Sequence, residues 1–146
     1  MTLYELKNKL KMRCAELKVD RIRIHTSLKH ERERLRAHEI SIEECLGSGY
    51  FEYAKQFQKM AIGCENRIKS LEKIDKSLAA HQKQYGLCVQ WIKSYEGQNK
   101  HLRTSNDPAD KVKWSWNVGK LIAKITSTLI YVSVYNEDDW NKFNAW

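Results

Sequence analysis

Cys45-Leu46-Gly47-Ser48-Gly49-Tyr50 stands at the junction of two long heptad patterns. Glycine reaches the left-handed conformation that closes a helix C-terminus, so this stretch reads as a tight turn between helices. Upstream, a seam recurs at alternating steps of four and three. It runs through Leu3, Lys7, Leu10, Cys14, Leu17, Arg21, Ile24, Leu28, Glu31, Leu35, His38, Ile42 and Cys45. Nine of these thirteen are apolar, and the phase never slips. That is the signature of one helix from the Thr2/Glu5 capping box to about Leu46. Ser41 and Glu44 imitate a second cap, the one place where this helix is open to a break.

Downstream, the seam resumes at Tyr50 and continues through Ala54, Phe57, Ala61, Cys64, Ile68, Leu71, Asp75, Leu78, Gln82, Tyr85, Val89 and Ile92. Eleven of these thirteen are apolar, which predicts a second helix ending near Tyr95. Gly63 and Gly86 lie inside it and weaken it by about 1 kcal/mol each relative to alanine. Two helices of similar length joined by a short turn are expected to lie antiparallel. A seam turning at Ser48 sets Cys14, Cys45 and Cys64 opposite positions near 82, 51 and 32, none of them cysteine. Ile22, Ile40, Met60, Ile74 and Trp91 lie beside the seams and call for further packing.

Residues 97–107 are polar and read as a loop. Asp107-Pro108-Ala109-Asp110 then opens a third helix: Asp107 can cap, Pro108 suits the first helical position, and Asp110 favours the positive helix end. Residues 125–135 are rich in β-branched and aromatic residues, so strand competes there. Leu121, Ile125, Leu129 and Val132 share one face, and the helix reading is kept. Asn136 before Glu137, Asp138 and Asp139 suggests a new helix start, followed by a short aromatic helix. The expected fold is therefore all-α: a long, coiled-coil-like antiparallel hairpin over residues 1–96, turning at 47–49. A C-terminal helical segment over 108–146 packs on it in the same single domain.

Composition agrees with this class. Hydrophobic residues at 42% and charged residues at 30% are too apolar for a disordered chain and too charged for a membrane bundle. The single proline, Pro108, leaves long helices uninterrupted. The net charge of +8 divides as +3, +3 and +2 over residues 1–46, 47–96 and 97–146, an even excess rather than a concentrated patch. The longest uncharged stretch near the C-terminus, residues 125–136, is shorter than the roughly 20 apolar residues a span needs. The first ten residues alternate charge with leucine and do not read as a signal peptide. Four cysteines, Cys14, Cys45, Cys64 and Cys88, fit no metal spacing and read as reduced core residues of a cytoplasmic protein.

Catalytic signatures are not found. Gly47 and Gly49 precede Tyr-Phe-Glu and match neither a phosphate loop nor a dinucleotide fingerprint. His38-Glu39 begins like a zinc-protease helix, but Ile42 stands where the second histidine belongs. Glu39, Glu43 and Glu44 read as a solvated face, and His38 as a seam residue beside a polar neighbour. Neither an enzyme nor a cofactor site is expected.

Two features point to binding. Residues 100–124 carry Lys100, Arg103, Lys111, Lys113, Lys120 and Lys124 against Asp107 and Asp110, with Trp114 and Trp116 interleaved. Cations can hold phosphate while an indole stacks a base. The competing reading has the tryptophans clamp the third helix onto the hairpin, and their spacing sends them to different sides. The second feature is the tail with Trp140, Phe143 and Trp146, large aromatics that need a surface to dock on. The function expected is a non-enzymatic helical adaptor, scaffold or inhibitor that binds a protein partner, with a second copy as a further candidate. The alternative is a nucleic-acid-binding accessory protein using the basic-aromatic stretch.

Overall fold

A computed structural model describes the backbone of residues 2–144 and the side chains of residues 2–129. Its elements are α1 (Leu3–Gly47), α2 (Phe51–Gln98), α3 (Lys100–Thr104) and α4 (Pro108–Asn144), with no strand among the described residues. The two long helices pack against each other as an antiparallel hairpin. Cα proximity divides the chain into two compact units, one of Met1–Lys18 with Leu78–Trp146, the other Val19–Ser77. Both long helices contribute to both units.

The turn follows from its glycines. Gly49 has φ 78°, a conformation that costs an L-residue with a Cβ about 1–2 kcal/mol. The Tyr50 N–H reaches the Cys45 carbonyl at 2.8 Å and the Gly49 N–H reaches that of Leu46 at 3.4 Å, the paired bonds of a Schellman close. The Tyr50 carbonyl then accepts from Ala54 N–H at 3.1 Å and starts α2. At the other end, Thr2 and Glu5 exchange side-chain and backbone bonds of 3.2 Å, the expected capping box. α1 runs through Ser41 unbroken, because the Ser41 hydroxyl donates back to the Ala37 carbonyl at 3.0 Å instead of capping.

In the Val19–Ser77 unit, Ile24, Leu28, Ala54, Ala61, Cys64, Leu71 and Ile74 form the buried core. Its polar seam positions are paired across the helices. Glu31 accepts from Arg67 and Arg34 at 3.0 Å each, and Asp75 accepts from Arg21 Nε and His25 Nε2 at 3.0 Å each. His38 lies against the Phe57 ring, with centroids 6.1 Å apart. Burial works to raise the Asp75 carboxyl, but the hydrogen bonds from Arg21 and His25 outweigh it and hold it below its usual value. These pairs explain why polar residues interrupt the heptads: a buried charge without a partner costs far more than a paired one.

In the other unit, Leu3, Leu6, Leu10, Leu17, Leu78, Tyr85, Cys88, Val89 and Ile92 are buried, and Lys7 pairs with Glu96 at 3.0 Å. Cys14 Sγ lies 4.0 Å from the Gln82 carbonyl, so Cys14 sits opposite position 82 as expected. Burial raises the Cys14 thiol. All four cysteines are unpaired.

Three expectations are corrected. Residues 97–107 are not mainly loop: α2 reaches Gln98 and α3 follows at once, because burying Leu102, the only large apolar residue of that stretch, organises its neighbours. The backbone also stays helical through Asn136, so the last segment is not a separate helix. No proline or glycine follows Gly119 to stop it. Tyr50, assigned to the seam, is exposed, because as the residue after Gly49 it belongs to the turn.

Candidate functional site

The start of α4 sets where its side chains point. Asp107 caps it, accepting from Ala109 N–H at 3.0 Å, while the Ser105 hydroxyl donates to Asp110 at 2.8 Å and accepts from Asp107 N–H at 3.1 Å. With the helix entry held, residues two apart lie roughly 200° apart around the axis, and Trp114 and Trp116 separate. Trp114 packs on Tyr95, with ring centroids 5.1 Å apart, and its carbonyl accepts the Tyr95 hydroxyl at 3.4 Å. Burial pushes the Tyr95 phenol up, against a hydrogen bond with Asn117. Ile125, fully buried, continues this packed side of the helix.

Trp116 faces the other way and is 68% exposed, beside Val112 at 70%. Lys120 Nζ lies 5.5 Å from the Trp116 ring centroid. Lys111, Val112, Ser115 and Trp116 line one shallow surface depression. Lys113 and Lys120 are exposed one helical turn before and after Trp116. From Lys111 to Asn136 the sequence contains four lysines and no Asp or Glu, with Asp107 and Asp110 just before it.

The eight basic-aromatic candidates are therefore not one groove. Lys113, Trp116 and Lys120 lie along one exposed stripe, and Lys111 borders the same depression from its other edge. Lys124 is drawn to the Trp91 ring at 4.3 Å, a cation–π contact that also leaves it beside the buried Cys88. Arg103 and Trp114 line a different cleft with Tyr4, Lys7 and Glu96, and Lys100 is exposed on α3. The aromatic candidates Trp140 and Phe143 lie where side chains fall outside the described residues, and Trp146 lies outside them altogether.

The turn between α1 and α2 carries a second surface, which the heptad reading had not assigned to binding. Leu46, Tyr50, Phe51 and Tyr53 are all exposed, with Phe51 at 62%. Tyr50 and Tyr53 stack edge to face at 6.2 Å. Glu43, Glu44 and Glu52 are exposed nearby, and Glu52 reaches Lys55 at 3.5 Å, while Glu39 lines a depression further up α1 with Lys29, Arg32 and Arg36. Between Ala37 and Ala54 there is no Lys or Arg. Three rings in the four residues after a glycine turn were the signal, obscured because Tyr50 also fits the heptad phase.

Glu31, Asp75 and Glu96 are engaged by Arg, His or Lys, and the Cys88 thiol is pushed up by burial and by nearby Cys14, against Lys124. Among the described residues, no group of three or more His, Cys, Asp or Glu is placed to hold a metal ion, and no helix is long and apolar enough to cross a membrane. In comparison with known proteins, the chain matches no family model, no curated protein and no solved structure.

Proposed function

We propose that this protein is a non-enzymatic helical adaptor or scaffold that acts by binding another protein, with the aromatic turn around Phe51 as its principal contact. The observation carrying this reading is the exposure of Leu46, Tyr50, Phe51 and Tyr53 together at one turn. Aromatic residues in the centre of a contact supply much of its binding energy, and a cluster of them left in water is more than scattered surface apolarity requires. The Schellman bonds of the turn and the buried Ala54 hold this surface in one conformation, which lowers the ordering cost of binding. A cytoplasmic site of action belongs to the same reading and is supported by four unpaired cysteines.

A photoreactive phenylalanine analogue at Phe51, irradiated in the source cells, tests the reading. The expected product is a covalent adduct with a different polypeptide that survives nuclease treatment and disappears when Tyr50 and Tyr53 are both changed to serine. Adducts with nucleic acid alone, or none, would overturn it. The nucleic-acid reading is favoured by one observation, the exposed Trp116 with Lys120 beside it. It is weakened by the dispersal of Lys100, Arg103, Trp114 and Lys124 away from that face.

A further inference from the structure

The two uncovered surfaces are opposites in charge and alike in character. The turn carries Leu46, Tyr50, Phe51 and Tyr53 beside exposed Glu43, Glu44 and Glu52, the last within 3.5 Å of Lys55, with no Lys or Arg between Ala37 and Ala54. The α4 face carries Val112 and Trp116 among Lys111, Lys113 and Lys120, with no Asp or Glu between Lys111 and Asn136. Each is an apolar centre with a charged surround, the arrangement of a protein contact with a desolvated core and a polar rim. Each is also what the other lacks.

We propose that the acidic aromatic turn of one copy docks on the basic Trp116 face of a second copy. This rests on the part of the adaptor reading that makes the turn a protein-binding surface, and it adds a second copy to the partners the turn takes. Turn-to-turn contact would bring Glu43, Glu44 and Glu52 against their own kind. Face-to-face contact would bring Lys111, Lys113 and Lys120 against theirs. Like charges across an interface disfavour both symmetric arrangements. Turn-to-face contact opposes carboxylates with ammonium groups and sets Phe51 or Tyr53 against Trp116, an aromatic pairing that adds to area burial. A nucleic acid would satisfy the α4 face but leave the turn uncovered. Each copy carries both halves, so the contact closes as a reciprocal two-fold pair where both are made at once and otherwise extends from copy to copy.

The test uses two variants of the full chain and sedimentation velocity. One alters the turn (Glu43→Lys, Glu44→Lys, Phe51→Ser); the other alters the face (Lys113→Glu, Trp116→Ser, Lys120→Glu). All six side chains are exposed, so circular dichroism should show both variants as helical as the parent. The parent is expected to associate at about 0.1 M salt and to dissociate towards about 1 M, as the screening length falls from about 10 to about 3 Å. Each variant alone is expected to sediment as a monomer. Mixed, they are expected to form a one-to-one complex, because the face variant keeps an intact turn and the turn variant keeps an intact face. A parent that stays monomeric, a variant that still self-associates, or a mixture that stays monomeric overturns the proposal. A monomeric parent whose sedimentation shifts only with a single-stranded oligonucleotide, with the shift lost in the face variant, overturns it in favour of nucleic acid. Failure here leaves the Phe51 adduct with a different polypeptide intact, whereas absence of that adduct beside a mixed-variant complex removes the adaptor reading alone.

Discussion

Ile22 and Ile24 offer the sharpest test of the packing, because the same residue type sits two positions apart on one helix in opposite environments. Ile24 is 0% exposed and Ile22 is 57% exposed. Truncating Ile24 to alanine removes three carbons from the core of the Val19–Ser77 unit. At about 0.8 kcal/mol per buried methylene, lost transfer energy alone is about 2.4 kcal/mol. The space left in that core adds a cavity term, giving about 2–5 kcal/mol in total. Ile22→Ala loses little burial and should stay within about 0.5 kcal/mol. Urea unfolding followed by circular dichroism measures both as shifts in the midpoint at a shared slope. Equal shifts for the two variants, or a larger one for Ile22, would refute the seam register, since a rotation of the helix would exchange their environments.

Glycine positions divide by conformation. Gly49→Ala should lower stability by about 1–2 kcal/mol, because φ 78° strains any residue with a Cβ. Gly86→Ala should raise it by up to about 1 kcal/mol, since its helical site has open space where the methyl would go; thermal melts of the pair should move in opposite directions. The Asp75 carboxyl is held low by Arg21 and His25, so its contribution is complete above its unfolded pKa near 4 and fades as pH falls through the folded value. The stability gap between the parent and Asp75→Asn should therefore be widest near neutrality and narrow in acid; a gap that widens below pH 4 would contradict the pairing. Thiol titration in denaturant without reductant should find four free groups, and in the native state Cys45 should react before the buried Cys64 and Cys88. Two free groups, or Cys88 reacting first, would contradict the core.

The hairpin was legible in the residues because local rules dictate it. Heptad spacing, the Thr2/Glu5 box, the Gly47–Gly49 turn and the Asp107-Pro108 start each specify backbone over a few residues, and each acts as read. The Cys14–Gln82 opposition followed from turn position alone. Tertiary structure decided what local rules leave degenerate. Lys7, Arg21 and Glu31 looked like breaks in a seam until Glu96, Asp75 and Arg67 stood across from them, because partners tens of residues apart meet only when the helices pack. Leu102 turned a polar stretch into a helix by finding a place to be buried, and Asn136 lost its capping role once the turns on both sides were helical. The candidate site divided in the same way. Sequence marked Trp114 and Trp116 as a pair on different sides of a helix. Only the packing of Tyr95 against Trp114 decided that Trp116, with Val112 and Lys120, faces water.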